Sequence, residues 1–172
     1  RLDARCRDLR RCIDGLEVTG QGTMHTLNHT HDPAARSWLA SANGHPEFPI
    51  QNLPFAEFSH GQTENAMRGG VAIGDQIVDL AALGASGLLQ GVARAHCQVA
   101  VQATLNAFMF LGPDASRSLR HALFALLQES ASAEQQAGLR ACLVPQADAR
   151  FGLPTRIGDY TDFYTSIHHA RN

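Results

Sequence analysis

Six side chains able to carry acid–base or ligand chemistry crowd the segment "IGDYTDFYTSIHHARN" at positions 157–172: Asp159, Tyr160, Asp162, Tyr164, His168 and His169. In an extended strand alternate residues share a face, so Tyr160, Asp162 and Tyr164 would point one way. A carboxylate flanked by two phenols suits a hard cation or a polar substrate. Ca²⁺ takes roughly six to eight oxygens, and Mg²⁺ an octahedron, so Asp162 can be only one ligand among several. The same pattern also describes the solvated edge of a strand. His168 and His169 bring imidazoles that titrate near neutral pH. Adjacent side chains diverge, so at most one of them serves a given site, and two exposed histidines are the plainer alternative.

Other candidates are weaker. His25, His29 and His31 in "HTLNHTHD" resemble a metal tract, but their polar, turn-like setting favours incidental binding. His60, His96 and His121 stand alone and read as surface or helix-face residues. "GGVAIGD" lacks the G-x-G-x-x-G order of a dinucleotide loop, and no P-loop, G-x-S-x-G elbow or H-E-x-x-H helix occurs. Every one of the 14 basic side chains is arginine, which excludes lysine Schiff-base chemistry within the segment. Cys6, Cys12, Cys97 and Cys142 form no C-x-x-C pair, and reduced thiols in a cytoplasmic protein are the economical expectation.

The elements that must position these groups follow from composition and pattern. The 172 residues are 44% apolar and 17% charged with a net charge of −2, a globular balance with no basic stripe for nucleic acid. No apolar run reaches the roughly 18 residues of a membrane span. Residues 1–23 precede the first methionine, Met24, and are expected to be a non-native or disordered extension. Asp32-Pro33 has the chemistry to open a short helix. Phe48, Ile50, Leu53, Phe55 and Phe58 suggest extended segments between prolines. In "GGVAIGDQIVDLAAL" a strand at 71–73 meets a turn at Gly74-Asp75 and returns over 76–80. Residues 83–91 read as a Gly-rich loop, with a helical turn possible at Leu88 and Leu89. "TLNAFMFLG" predicts a short helix stopped by Gly112-Pro113. The next helix is capped by Asp114 or Ser116 and buries Leu119, Leu123, Leu126 and Leu127. A weaker helix covers 133–142, a linker lies near 145–155, and a strand is expected over 156–164. The sum is a small β-rich α+β domain with a helical insertion, followed by the start of something else.

Taken together, "FPIQNLPFAEFS", "GVAIGDQIVDL", "TLNAFMFLG" and "LPTRIGDYTDFYTS" occur in the order and spacing of the fumarylacetoacetases, and the chain resembles that family from about Phe48, or Met24, onward. The resemblance implies an SH3-like barrel over 24–150 and, at 151–172, the truncated start of a mixed β-roll catalytic domain through which the family forms homodimers. It implies hydrolysis of the carbon–carbon bond of 4-fumarylacetoacetate to fumarate and acetoacetate, the last step of tyrosine and phenylalanine breakdown. Ca²⁺ or Mg²⁺ would polarise the diketone oxygens. The second aspartate of "DYTDFY", here Asp162, corresponds to a metal ligand, and Tyr164 to a substrate contact. The histidine of the family's H-A-x-N stretch, the general base, falls on His169 in "HARN". Ile167 departs from the Arg or other polar residue that many relatives carry. With one ligand, one base and one substrate contact, the segment is expected to be inactive alone. The alternatives are a non-catalytic SH3-like docking module and a hydrolase of another β-diketone or acylpyruvate.

Overall fold

The hairpin predicted from Gly74-Asp75 is the centre of the sheet. A computed structural model describes residues 27–61, 67–163 and 165–172. Strands β1 (Phe55–His60), β2 (Arg68–Ile73) and β3 (Gln76–Asp79) run antiparallel, with Val71 opposite Val78 and Ile73 opposite Gln76. Gly74 alone takes a positive φ, 56°, the type II′ pattern in which only the first turn residue needs glycine. β4 (Leu143–Pro145) adds to β3, and β5 (Ala149–Phe151) adds to β1. The order is therefore β4-β3-β2-β1-β5, every pairing antiparallel. The segment expected to be a linker near 145–155 thus supplies the edge strand β5, and β4 ends at its first residue.

Helices fill the connection between β3 and β4: α1 (Leu80–Ala85), α2 (Gly91–Ala100), α3 (Asn106–Phe110), α4 (Pro113–Leu127) and α5 (Ala133–Arg140). Helical residues outnumber strand residues, so the fold is mixed α+β rather than β-rich. α4 buries Leu119, Leu123, Leu126 and Leu127 as the periodicity requires. Its N-cap is Gly112, with Pro113 at the first helical position, and not Asp114 or Ser116. Proline's fixed φ suits that position, which displaces the polar residues into the first turn, where Asp114 pairs with Arg117 at 2.9 Å. α1 and α2 had no clear sequence signal. The buried stripe of α2 includes His96 and Cys97 beside Val99 and Ala100, and a polar letter in that stripe hides the helical period.

One sheet face packs Val71, Ile73 and Val78 against the buried side chains of the helices, and the other covers Phe58, Ile77 and Val144. Contact is closest where Gly69 meets the end of α2. A Cβ on Gly69 would collide with the carbonyl of Ala100, and Gly69 N–H donates to Val101 O at 3.2 Å. The N-terminal described stretch lies along α4. Ser37 Oγ donates to Leu127 O at 2.7 Å and Trp38 Nε1 to Leu126 O at 2.8 Å, satisfying carbonyls that the helix end leaves open. Asp32-Pro33 opens no helix. It follows a 3-10 turn at His29–His31 capped by Asn28.

Asp79 ends β3 one residue earlier than expected because its side chain starts α1. Oδ1 accepts from the N–H groups of Ala81 and Ala82 at 2.9 and 3.3 Å, while Oδ2 accepts from Arg68 Nε at 2.8 Å. Its own N–H donates to Cys142 O at 2.8 Å. Arg68, thus held, lies 4.8 Å over the Phe58 ring. Asp79→Ala removes a cap and strands a partly buried guanidinium, and should cost about 2–4 kcal/mol in urea unfolding. Asp79→Asn, which keeps an acceptor for the cap, should cost less. Equal losses would show that the ion pair, and not the cap, carries the effect.

Candidate functional site

The tail leaves the body at α3. Leu105 and Phe108 are buried, with Phe108 against the Phe55 ring at 5.1 Å, so α3 is anchored to the core. Leu105 N–H donates to Pro154 O at 2.7 Å. The Asn106 amide then pairs with both backbone groups of one residue: Arg156 N–H donates to Oδ1 at 2.7 Å, and Nδ2 donates to Arg156 O at 3.0 Å. Asn106 went unnoticed in the sequence. Its only signal is a place inside the "TLNAFMFLG" motif.

Beyond Arg156 the predicted strand is absent. Residues 156–163 have no regular structure, and Tyr164 lies outside the described residues. Asp162 is exposed, as are its neighbours Tyr160 and Phe163, at 84% and 80% of their full accessibility. With no partner strand to hydrogen-bond, an isolated extended segment has nothing to fix it as a strand. His169 sits on a short helix, α6 (Ile167–Arg171), beside His168, both exposed. Ala170 N–H donates to Ser166 O at 3.1 Å within that turn. Successive helical residues are about 100° apart around the axis, so the two imidazoles diverge as their adjacency required.

The donor set at this end does not make a metal centre by itself. Among the described residues no group of three or more His, Cys, Asp or Glu side chains is placed to hold a metal ion. Asp162 has the hard-oxygen chemistry that Ca²⁺ or Mg²⁺ prefers, but it offers one carboxylate where roughly six or more oxygens are needed.

His29, His31, His96 and His121 are set into the body of the fold. His31 Nδ1 accepts from Asn28 N–H at 3.2 Å, completing the capping box, and the His29 ring packs 4.9 Å from His121 and 5.7 Å from Phe124. Among these described residues the "HTLNHTHD" tract is a folded turn against α4, and His25 lies outside the description. His96 lies on a helix face, one of the two placements expected, but that face is buried, and burial lowers its pKa below the ordinary 6.5. Burial and the neighbouring His29 lower His121 likewise. Cys97 and Cys142 are free and buried, and burial pushes the Cys97 thiol up to about 12, which makes it inert as a nucleophile. A pocket of about 440 Å³ opens beside α4, where Arg120 donates to Thr30 Oγ1 and to the carbonyls of Thr30 and Gln51. Its described lining contains neither Asp162 nor His169.

An antiparallel sheet whose long β3–β4 connection is helical, followed by an irregular tail, marks one class, a mixed α+β domain. The sequence family described as fumarylacetoacetase N-terminal matches residues 51–154, and the chain belongs to that family. It is similar to the fumarylacetoacetase of Caenorhabditis elegans, 47% identical over 129 residues, which cover 73% of this chain and 30% of that protein. The Oryza sativa subsp. japonica fumarylacetoacetase is 42% identical over 141 residues, covering 80% of this chain and 33% of that protein. That of Homo sapiens is 46% identical over 129 residues, 73% of this chain and 30% of that protein. The chain thus spans about a third of the length of the curated relatives it matches. No helix of the described residues is long and apolar enough to cross a membrane.

Two measurements check these assignments. Titrating this chain with Ca²⁺ or Mg²⁺ in a calorimeter should give no saturable binding tighter than about millimolar, the weak end for sites of few ligands. Stoichiometric micromolar binding would show a complete site that the donor set does not predict. For His96, the unfolded state takes up a proton below 6.5 while the folded state resists it, so stability should fall as pH drops from 6.5 toward the lowered folded value. The stability gap between wild type and His96→Leu should shift in favour of the variant over that range. A gap independent of pH between 7.5 and 5 would refute the buried neutral imidazole.

Proposed function

We propose that this chain is the N-terminal part of a fumarylacetoacetase, with an SH3-like barrel domain leading into a β-roll catalytic domain that carries the homodimer contact. One observation carries the reading. The family match over 51–154 runs directly into a segment whose acid, phenol and imidazole at 162, 164 and 169 are the types that hydrolysis of a β-diketone requires. The substrate is 4-fumarylacetoacetate. Water adds to one carbonyl carbon, the neighbouring carbon–carbon bond breaks, and its electron pair leaves on the enolate of acetoacetate, which is then protonated. Fumarate is the other product.

In this scheme His169 takes the proton of the attacking water. Tyr164 contacts the substrate through its phenol, and Asp162 contributes one carboxylate to the binding of Ca²⁺ or Mg²⁺. A bound divalent cation supplies Lewis-acid polarisation of the diketone oxygens. The other ligands belong to the portion of the relatives' length that this chain does not span. The segment is therefore inactive by itself, and the reaction belongs to the whole enzyme.

The test is hydrolysis of 4-fumarylacetoacetate by the full-length protein, followed by loss of substrate absorbance. His169→Ala should lower kcat by at least about a hundredfold, in the range typical of a lost general base, with metal affinity kept. Asp162→Ala should lower metal affinity and recover in part when metal is added, whereas His169→Ala should not. His168→Ala should be mild. A full-length protein that leaves the substrate intact would overturn the reading, and a crippling His168→Ala would move the base by one residue.

A further inference from the structure

We propose that Asn106 is a positioning residue for the catalytic segment: its side-chain amide acts as a surrogate peptide unit that fixes the path of the chain into 157–172. The inference rests on the reading of that segment as the opening of a fumarylacetoacetase site. Three hydrogen bonds define the clamp. Leu105 N–H to Pro154 O is 2.7 Å, Arg156 N–H to Asn106 Oδ1 is 2.7 Å, and Asn106 Nδ2 to Arg156 O is 3.0 Å. A carboxamide presents its Oδ1 acceptor and one Nδ2 donor along a single edge, so asparagine can pair with the N–H and C=O of Arg156 as the facing residue of a neighbouring antiparallel strand would. Aspartate lacks the donor, and alanine lacks both.

Its location gives the clamp its consequence. On one side it is continuous with the core, because Leu105 and Phe108 of the same segment are buried, at 6% and 2% exposure. On the other side, no hydrogen bond joins residues 157–163 to the body among the described residues, so Arg156 is the last point at which their path is held. Asp162 lies six residues on, a reach of at most about 20 Å of extended chain. An error in direction at the clamp is therefore carried toward the metal ligand. Asn106 touches neither substrate nor metal. It acts through the segment that does.

The test pairs a structural and a kinetic readout. In this 172-residue chain, hydrogen exchange should show the Arg156 amide exchanging about tenfold faster in Asn106→Ala than in wild type, with core amides and the melting midpoint unchanged. Asn106→Asp, which keeps the acceptor, should leave Arg156 N–H protected but free its carbonyl. In the full-length protein Asn106→Ala should lower kcat about ten- to a hundredfold with a smaller change in KM, since misplacement of about 1 Å carries costs of that size. Asn106→Asp should fall between. A merely structural role predicts lost stability with kcat preserved in the folded fraction, and that result would overturn the proposal. Unchanged exchange at Arg156 in Asn106→Ala would overturn it equally. An inactive wild type would refute the functional reading instead, while the exchange data would still decide whether the clamp exists.

Discussion

One carboxylate holds the hinge between sheet and helices. Asp79 closes the last strand of the central hairpin, caps the first helix and fixes Arg68, whose guanidinium covers Phe58 on the opposite sheet face. Its backbone N–H reaches Cys142 O, next to the edge strand β4. Four parts of the fold meet at one residue: hairpin, helical insertion, second core cluster and returning strand. Such a residue is buried at 7% exposure only because every oxygen has a partner.

From that hinge the chain makes a long helical excursion and returns to complete the sheet. The excursion is possible because Gly69 lets α2 approach the sheet backbone, so that Ala100 O sits where any side chain would collide. Segment 37–43 closes the other end of the helical layer through the α4 carbonyls that Ser37 and Trp38 satisfy, with Arg140 stacked 4.4 Å over the Trp38 ring. The result is a body whose buried apolar side chains from sheet and helices form one large core cluster, joined at these points by backbone approaches and side-chain caps.

The tail leaves that body at α3, where Leu105 and Asn106 hold Pro154 and Arg156. Met109, Phe110, Leu153 and Ile157 remain exposed around the departure from α3, at 61%, 71%, 72% and 77%.

What the sequence determined by itself was local chemistry. Gly74-Asp75 specified the hairpin turn, Gly112-Pro113 stopped one helix and started the next, and the leucines of 119–127 declared their face. Four short motifs in order identified the family, because each residue type meets a demand set by its near neighbours. Tertiary structure decided what depends on distant partners. The strand ended at Asp79 because one of its carboxylate oxygens caps α1 while the other holds Arg68, eleven residues earlier. α2 was hidden because His96 is buried although its letter reads as polar. Residues 149–151 became a strand rather than a linker because β1 offered an open edge, whereas 156–163 found no such edge and stayed irregular. Hydrogen bonding in a strand is supplied by another segment, so no count of residues within 156–164 could have determined it.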